Sequence, residues 1–572
     1  MTIFRSFVLV ACLAALSLPL LDGADLKAGL DAYNNGNWRR AAAEFRPLAD
    51  AGDAVAQYSM GKLYAEGRGV PRDLEQSAAW HRKAAEQGYA LAQFSLGRMY
   101  EAGQGVAPDA AKAAHWYRQA AEQGRSYAQF HLGLLHEAGR GVALDYGQAL
   151  RWYRAAAGQG YPPAQFKLGE AYHRGRGVER DDAQAVRWYR LAAGQGLPDA
   201  QFLIGLAHLE GRGAEKSDQS AARWFRAAAD QGLPRAQYQL ALLYGDGKGV
   251  PQDYAQAARL LENPARGGNP DAMYRLGTMY AQGQGVERNE ARAVALYREA
   301  AAKGSVEAQF NLGTVYFQGR GVERDLETAA EWYAKAAERG DPKAQQTLAM
   351  LYQRGHGVPR DEGEAAFWSG RTAEARRMYP QALDSYRKGA GLGNARSQFH
   401  LGRMYFNGLG VDQDRAQGVE WYRKAAAGGV AEAQTGLGVL YERGEVVEQS
   451  FSQAVAWYRK AAARQQPEAL YNLGAACEHG RGVTASAAEA ARWYEKAARL
   501  GVAQAQVALA GLYRQGRGVP PDMVRAYAWL QLAARNDHPE ARKQLATLRL
   551  SPEQLLQATR LARQWAQAEP AR

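Results

Sequence analysis

The sequence predicts an all-α fold, an array of thirteen 36-residue helical hairpins with a cap at each end. Three observations lead there. The loop Gly67-Arg-Gly-Val70 returns at Gly103, Gly139, Gly175, Gly211, Gly247, Gly283, Gly319 and Gly355, and after one interruption at Gly408, Gly444, Gly480 and Gly516, 36 residues apart within each run. Each period also holds two stretches of helical spacing, such as Ala92, Leu96, Met99 and Tyr100, then Ala113, Trp116, Tyr117 and Ala120. The residue six after each loop glycine is Asp73, Asp109, Asp145, Asp181, Ser217, Asp253, Asn289, Asp325, Asp361, Asp414, Ser450, Ser486 or Asp522. All are good helix N-caps, so these side chains serve second-helix starts and are not catalytic carboxylates.

A fixed period changes what a length of 572 residues means. Each repeat contacts mainly its neighbours, and no large central core is needed. The formal charge of +12 comes from 71 basic and 59 acidic residues. They are spread through every repeat without basic blocks, which describes a solvated surface, and no nucleic-acid partner is expected. Two cysteines are too few for a disulfide framework.

Taken in order, the chain begins with Arg5 ahead of an uncharged apolar run from Phe7 to Leu21, a pattern that predicts a secretory signal peptide over 1–24. The run is short against the roughly 20 residues of a membrane span and Pro19 interrupts it, so no stable span is expected after processing. The alternatives are an uncleaved anchor or lipidation at Cys12. A periplasmic or secreted protein follows from the first reading. Residues 25–52 form an N-terminal cap, with Phe45 and Leu48 where a repeat places its second-helix apolar residues.

Repeats one to nine occupy 53–369. Gly61, Gly97, Gly133, Gly169, Gly205, Gly277 and Gly313 recur inside first helices, where glycine is costly unless another backbone approaches closely. The tyrosine slot three residues later (Tyr64, Tyr100, Tyr172, Tyr244, Tyr280, Tyr316) holds His136, His208 and Cys477 elsewhere, all read as core residues. Trp80, Trp116, Trp152, Trp188, Trp224, Trp332, Trp368, Trp421, Trp457, Trp493 and Trp529 stand thirteen residues after the loop glycine and are expected in the core, with Leu260 and Leu296 in the remaining repeats. Pro264 predicts a kink or early helix end near Asn263.

The interval from Gly355 to Gly408 is 53 residues, 17 more than the period. Ala375, Met378, Tyr379, Ala382, Leu383 and Tyr386 keep helical spacing around Pro380, so 370–392 is an additional helix rather than a linker. Repeats ten to thirteen fill 393–536. A C-terminal cap spans 537–572, its last helix opening at Ser551-Pro552 and carrying Leu555, Ala558, Leu561, Ala562 and Trp565 on one stripe.

The pattern Ala92-Gln93-Phe94, Leu96-Gly97, Tyr100, Gly103, Gly105-Val106, then Ala114, Trp116-Tyr117-Arg118 and Ala120-Ala121, resembles the Sel-like repeat family, a relative of tetratricopeptide repeats. The resemblance implies a right-handed α/α superhelix whose first helices line the concave side. It also implies a non-catalytic adaptor that binds a partner protein there, with exopolysaccharide export or host interaction as the roles of secreted bacterial relatives. The chain lacks the cysteine pair per repeat of the family's cysteine-rich branch, so the β-lactamase or penicillin-binding activity proposed for that branch does not carry over.

Independent chemistry is sparse. Ser59-Met-Gly-Lys62 has the Ser-x-x-Lys spacing but lies in a repeat helix without partner motifs. The Gly-x-Gly-Val loops lack a third glycine and an upstream strand, and the ten histidines include no His-Glu-x-x-His. No catalytic residue, metal site or cofactor is expected. Two functions stand: a protein-binding scaffold of the bacterial cell envelope, and a glycan-processing enzyme or polysaccharide-binding module. The loop cations Arg68, Arg140, Arg176, Arg212, Lys248, Arg320, Arg481 and Arg517 should project along one edge, where an anionic polysaccharide could be drawn.

The partner site is sought at first-helix positions two and five residues after the repeated glutamine. Most repeats are polar there, as at Lys62, Arg275, His400 and Arg403. Leu134, Leu203, Leu206 and Leu242 are apolar, with Lys167 and Glu170 on an intervening helix. These six residues, Leu134, Lys167, Glu170, Leu203, Leu206 and Leu242, form the candidate partner-binding strip. The alternative is that the leucines pack against neighbouring helices.

Overall fold

The computed structural model describes residues 25–568; the expected signal peptide over 1–24, with Cys12, lies outside the described residues. Among the described residues there are 31 helices and no strand. They form tandem hairpins, and the chain divides into two compact units at Leu233/Pro234.

One repeat shows how the sequence builds a hairpin. The first helix, Ala90–Ala102, stops at Gly103, whose φ of 67° is left-handed. The Asp109 amide then donates to the Tyr100 carbonyl at 2.9 Å, which closes the loop. The Asp109 side chain accepts from the Lys112 amide at 2.9 Å and starts the second helix, Ala110–Glu122. Every one of the thirteen predicted caps accepts such a bond. Where His136, His208 and Cys477 replace the tyrosine, their carbonyls still anchor the loop.

The two helices meet at Gly97. A Cβ there would lie 2.6 Å from the Tyr117 ring and 3.3 Å from the Ala113 carbonyl oxygen. The glycine therefore seats an aromatic ring as well as a neighbouring backbone, whereas the sequence pointed to backbone approach alone. The contact recurs as Gly133 with Tyr153, Gly169 with Tyr189, Gly205 with Phe225, Gly277 with Tyr297, Gly313 with Tyr333, Gly438 with Tyr458 and Gly474 with Tyr494.

This corrects the expected tryptophan core. Among the eleven tryptophans of that slot only Trp80, Trp368 and Trp529 are buried, and the other eight are half-buried. The next residue on the helix, about 100° further round, is the one that faces the glycine. The tryptophans lie on the flank, several under a lysine, as where Lys335 Nζ stands 4.0 Å from the Trp332 ring centroid.

Adjacent repeats are joined by polar bonds. Buried Gln129 donates to the carbonyl of Ala121 in the preceding second helix at 3.1 Å, satisfying a helix-end acceptor. Its own oxygen accepts from Gln159 Nε2 at 2.9 Å. The pattern repeats at Gln57, Gln93, Gln165 and Gln201. The arginine after the packing aromatic reaches the next repeat's tyrosine hydroxyl, as Arg387 does to Tyr405 at 2.8 Å. In the loop, a Cβ on Gly105 would meet the Leu74 carbonyl oxygen of the preceding repeat at 1.9 Å, so a side chain there would push repeats apart.

The irregular segments use the same devices. The N-terminal cap is a hairpin of Leu26–Asn34 and Trp38–Asp50 in which Gly29 seats Phe45. The added helix is Tyr379–Gly391, with Pro380 in its first turn, where the missing amide costs nothing. The preceding helix, Glu362–Ala375, packs on Pro342–Arg354 and also on Tyr379–Gly391, where Gly370 seats Tyr386. Pro264 does not shorten its helix, which runs Tyr254–Arg266; it fills a buried site held by alanine in other repeats. At the C-terminal end Ser551 and Gln554 form a reciprocal capping box, and Trp565 stacks on Trp529 with centroids 4.1 Å apart.

Tyr153→Ala should lower the local stability of its repeat by about 3–5 kcal/mol, and Trp152→Ala by less than half as much. Amide exchange in Ser126–Ala138 and Tyr146–Gly158 measures both, and equal losses would restore tryptophan as the packing centre.

In the first repeat His81 takes the aromatic's place, buried, with Nδ1 2.8 Å from the Ser77 carbonyl oxygen. Burial lowers its pKa from 6.5 to about 4, against the opposing effect of the Ser77 bond. As pH falls the unfolded chain takes up this proton first, so the stability present above pH about 6.5 is lost towards pH about 4. The first repeat should lose about 2 kcal/mol between pH 7 and 5, and His81→Phe should abolish that dependence in exchange measurements.

Candidate functional site

Within each unit the first helices present a shared face because the glutamine that binds the preceding repeat fixes their rotation. Two residues beyond it, His131 lies against the Phe94 and Tyr117 rings, each 5.3 Å away between centroids. On the following first helix Lys167 Nζ stands 3.4 Å from Glu137 Oε2 and 3.1 Å from Glu170 Oε2. Leu134, Lys167, Glu170, Leu203 and Leu206 are all half-buried in the first unit. Leu203 packs against the cluster containing Ala185, Tyr189 and Ile204. Leu242 is half-buried on Pro234–Asp246, in the second unit.

A carboxylate near the end of some first helices organises the charges. Tyr117 donates to Glu101 at 2.7 Å, and Arg140, in the next repeat's loop, lies 3.5 Å from the same carboxylate. Tyr153, Glu137 and Arg176 repeat the arrangement, as do Tyr458, Glu442 and Arg481, and Tyr494, Glu478 and Arg517. Burial, together with the bond to Glu101, raises the Tyr117 pKa and keeps the phenol a donor. Arg68, Arg212, Lys248 and Arg320 are paired with Glu66, Glu210, Asp246 and Glu290. All eight loop cations therefore have carboxylate partners.

The apparent acylation motif is absorbed into the helix. Ser59 is buried and its hydroxyl donates to the Val55 carbonyl at 2.8 Å, while Lys62 Nζ stands 4.6 Å from the Tyr33 ring centroid. Among the described residues no group of His, Cys, Asp and Glu is arranged to hold a metal ion, and no helix is long and apolar enough to cross a membrane.

The sequence did not reveal a cavity of about 550 Å³ in the second unit, bounded by Trp368, Arg371, Glu374, Arg396, His400 and Arg403. His400 and Arg403 stand two and five residues beyond Gln398, the positions the sequence singled out. Arg403 pairs with Glu374, which also accepts from Tyr386 at 2.9 Å. Arg396 pairs with Glu364 and lies 4.2 Å from the Phe367 ring centroid. Burial, then Arg371, lowers the His400 pKa to about 3, so the imidazole is neutral beside Glu374 Oε2 at 3.3 Å. The period break at 370–392 and the polar pair His400 and Arg403 were the sequence signals near this site.

Replacing Arg140, Arg176, Arg481 and Arg517 together with Ser should cost at most about 1 kcal/mol per pair. It should also leave the salt needed to elute the protein from an immobilised anionic polysaccharide unchanged. Elution at clearly lower salt would return the loops to a polymer-binding role.

Comparison with known proteins follows the same geometry. The Sel1 repeat model matches nine stretches between residues 54 and 375 and four between 395 and 538. No match is found among curated proteins. Among solved structures, the chain is similar to c5321, a protective antigen of uropathogenic Escherichia coli with an SLR fold, at 36% identity over 80% of this chain and 94% of that one, with a TM-score of 0.41. It is likewise similar to a Sel1 repeat protein from Oxalobacter formigenes, at 36% identity over 54% of this chain and 89% of that one, with a TM-score of 0.42.

Proposed function

Because this chain belongs to the Sel1 repeat family, whose members are generally protein-interaction scaffolds, we propose that it is a non-catalytic scaffold of the bacterial cell envelope. It takes a partner protein on the face made by its first helices. The observation that carries this reading is the strip of half-buried leucines around Lys167 and Glu170, since apolar side chains rimmed by charge suit a desolvated contact. The envelope location rests on the leader expected at 1–24, and export of exopolysaccharide or contact with a host are the settings that the resemblance to secreted bacterial relatives implies.

The test is capture of a partner from envelope extract by the mature chain, followed by affinity measurement with the purified partner. Leu203→Asp with Leu206→Asp should weaken binding at least about tenfold, or roughly 1.4 kcal/mol, with helical content unchanged. Because Leu203 touches the Tyr189 cluster, Leu206→Asp alone serves as the variant that spares it. Leu242→Asp reports on the second unit separately. Undiminished binding by the folded variants would move the site elsewhere.

A further inference from the structure

The cavity beside Glu362–Ala375 has an unusual wall. Trp368 Nε1 and Arg403 Nε are both buried without a hydrogen-bond partner, although their residues line the space. Trp368 is 2% exposed and His400 9%. A buried polar group left unpaired is costly, so two around one cavity is an arrangement that a ligand would relieve. Arg371, half-buried on the same wall, makes no ion pair or hydrogen bond among the described residues; its guanidinium carbon is 6.0 Å from the Phe367 ring centroid.

The charges limit what could enter. Arg403 and Arg396 are neutralised by Glu374 and Glu364, which leaves Arg371 as the wall's uncompensated cation among the described residues. At the mouth stand Glu338 and Glu432, both exposed. A single negative charge can reach Arg371, whereas a phosphate dianion would face two carboxylates on the way in. Phe367, Trp368, Phe399 and Val430 supply apolar surface beside the guanidinium, which suits an organic acid carried next to an apolar group. The volume falls in the range of pockets that bury a small organic ligand or a short stretch of chain.

We infer that this cavity binds a carboxylate of a partner peptide, held by Arg371 and the unpaired nitrogens of Trp368 and Arg403, with an adjacent apolar side chain against Phe367 and Phe399. The inference rests on the reading of the chain as a protein-binding scaffold, but the site is distinct from the leucine strip. The carboxylate is either a chain terminus or an acidic side chain, and these share the same chemistry.

The test selects random heptapeptides, synthesised with free and with amidated C-termini, on the mature full chain. Selected peptides should carry a carboxylate beside an apolar residue. Their affinity should fall at least about tenfold for Arg371→Gln. Loss on amidation assigns the terminus, and retention assigns an Asp or Glu side chain. Glu338→Gln with Glu432→Gln should tighten binding about threefold or more, a gain that misfolding cannot produce. Absence of any selected peptide, selection of peptides without a carboxylate, preference for phosphopeptides, or indifference to Arg371→Gln would each overturn the proposal. None of these outcomes alters partner capture through Leu203 and Leu206, so the two readings fail separately.

Discussion

The contact between a helical glycine and an aromatic ring, typified by Gly97 and Tyr117, is the constraint on which the rest of the structure depends. It sets how deeply the second helix sinks into the first, and it operates within individual hairpins, in most of the thirteen, rather than through one shared core. Loss of the ring leaves a void facing a residue with no side chain to fill it. Addition of a single carbon to the glycine displaces the ring. The N-terminal cap and the hairpin around the added helix keep the contact with much shorter turns, through Gly29 with Phe45 and Gly370 with Tyr386. Turn length is therefore negotiable, and where the glycine gives way to alanine, at Ala241 and Ala510, the ring gives way to a buried leucine, Leu261 and Leu530.

Between hairpins the bonding is polar and directional. Hydrophobic surface alone would let one repeat rotate on the next, whereas Gln129 can bridge the Ala121 carbonyl and Gln159 in only one register. A buried amide with a specific partner on each side costs more to misplace than an alanine contact. That fixed rotation makes positions two and five beyond the glutamine a continuous surface within each unit. Variation at those positions changes what the face can hold without disturbing the stack.

Much of the fold was legible in the sequence because period and local chemistry agree. The loop glycines, all thirteen N-caps, both caps of the array and the helical character of the insertion could be read from residue type and spacing. The tryptophans were misread because an indole in a helical apolar stripe looks like the deepest residue, and only three-dimensional rotation shows that the following tyrosine is. The glutamine bridges were missed because a polar residue at a fixed position suggests surface, and burial cannot be inferred from recurrence. The carboxylate partners of the loop arginines went unseen because they often lie a repeat away, as Glu101 does from Arg140. Of the candidate strip, sequence could supply the face but not the depth at which each leucine sits. The cavity depends on which helices the insertion brings together, and no local pattern carries that.

The insertion can also be understood as a splice. Residues 362–369 joined directly to 387–391 would make a thirteen-residue helix behind the Asp361 cap, equal in length to the ordinary second helix Ala110–Glu122. Trp368 would keep its usual slot and Ser369 would fall where the packing aromatic stands. The 17 residues 370–386 thus interrupt one helix whose two severed halves have each grown to full length, and their excision would restore the 36-residue beat. The same excision would carry away Arg371 and Glu374. The recess thus takes part of its wall from the same residues that break the rhythm.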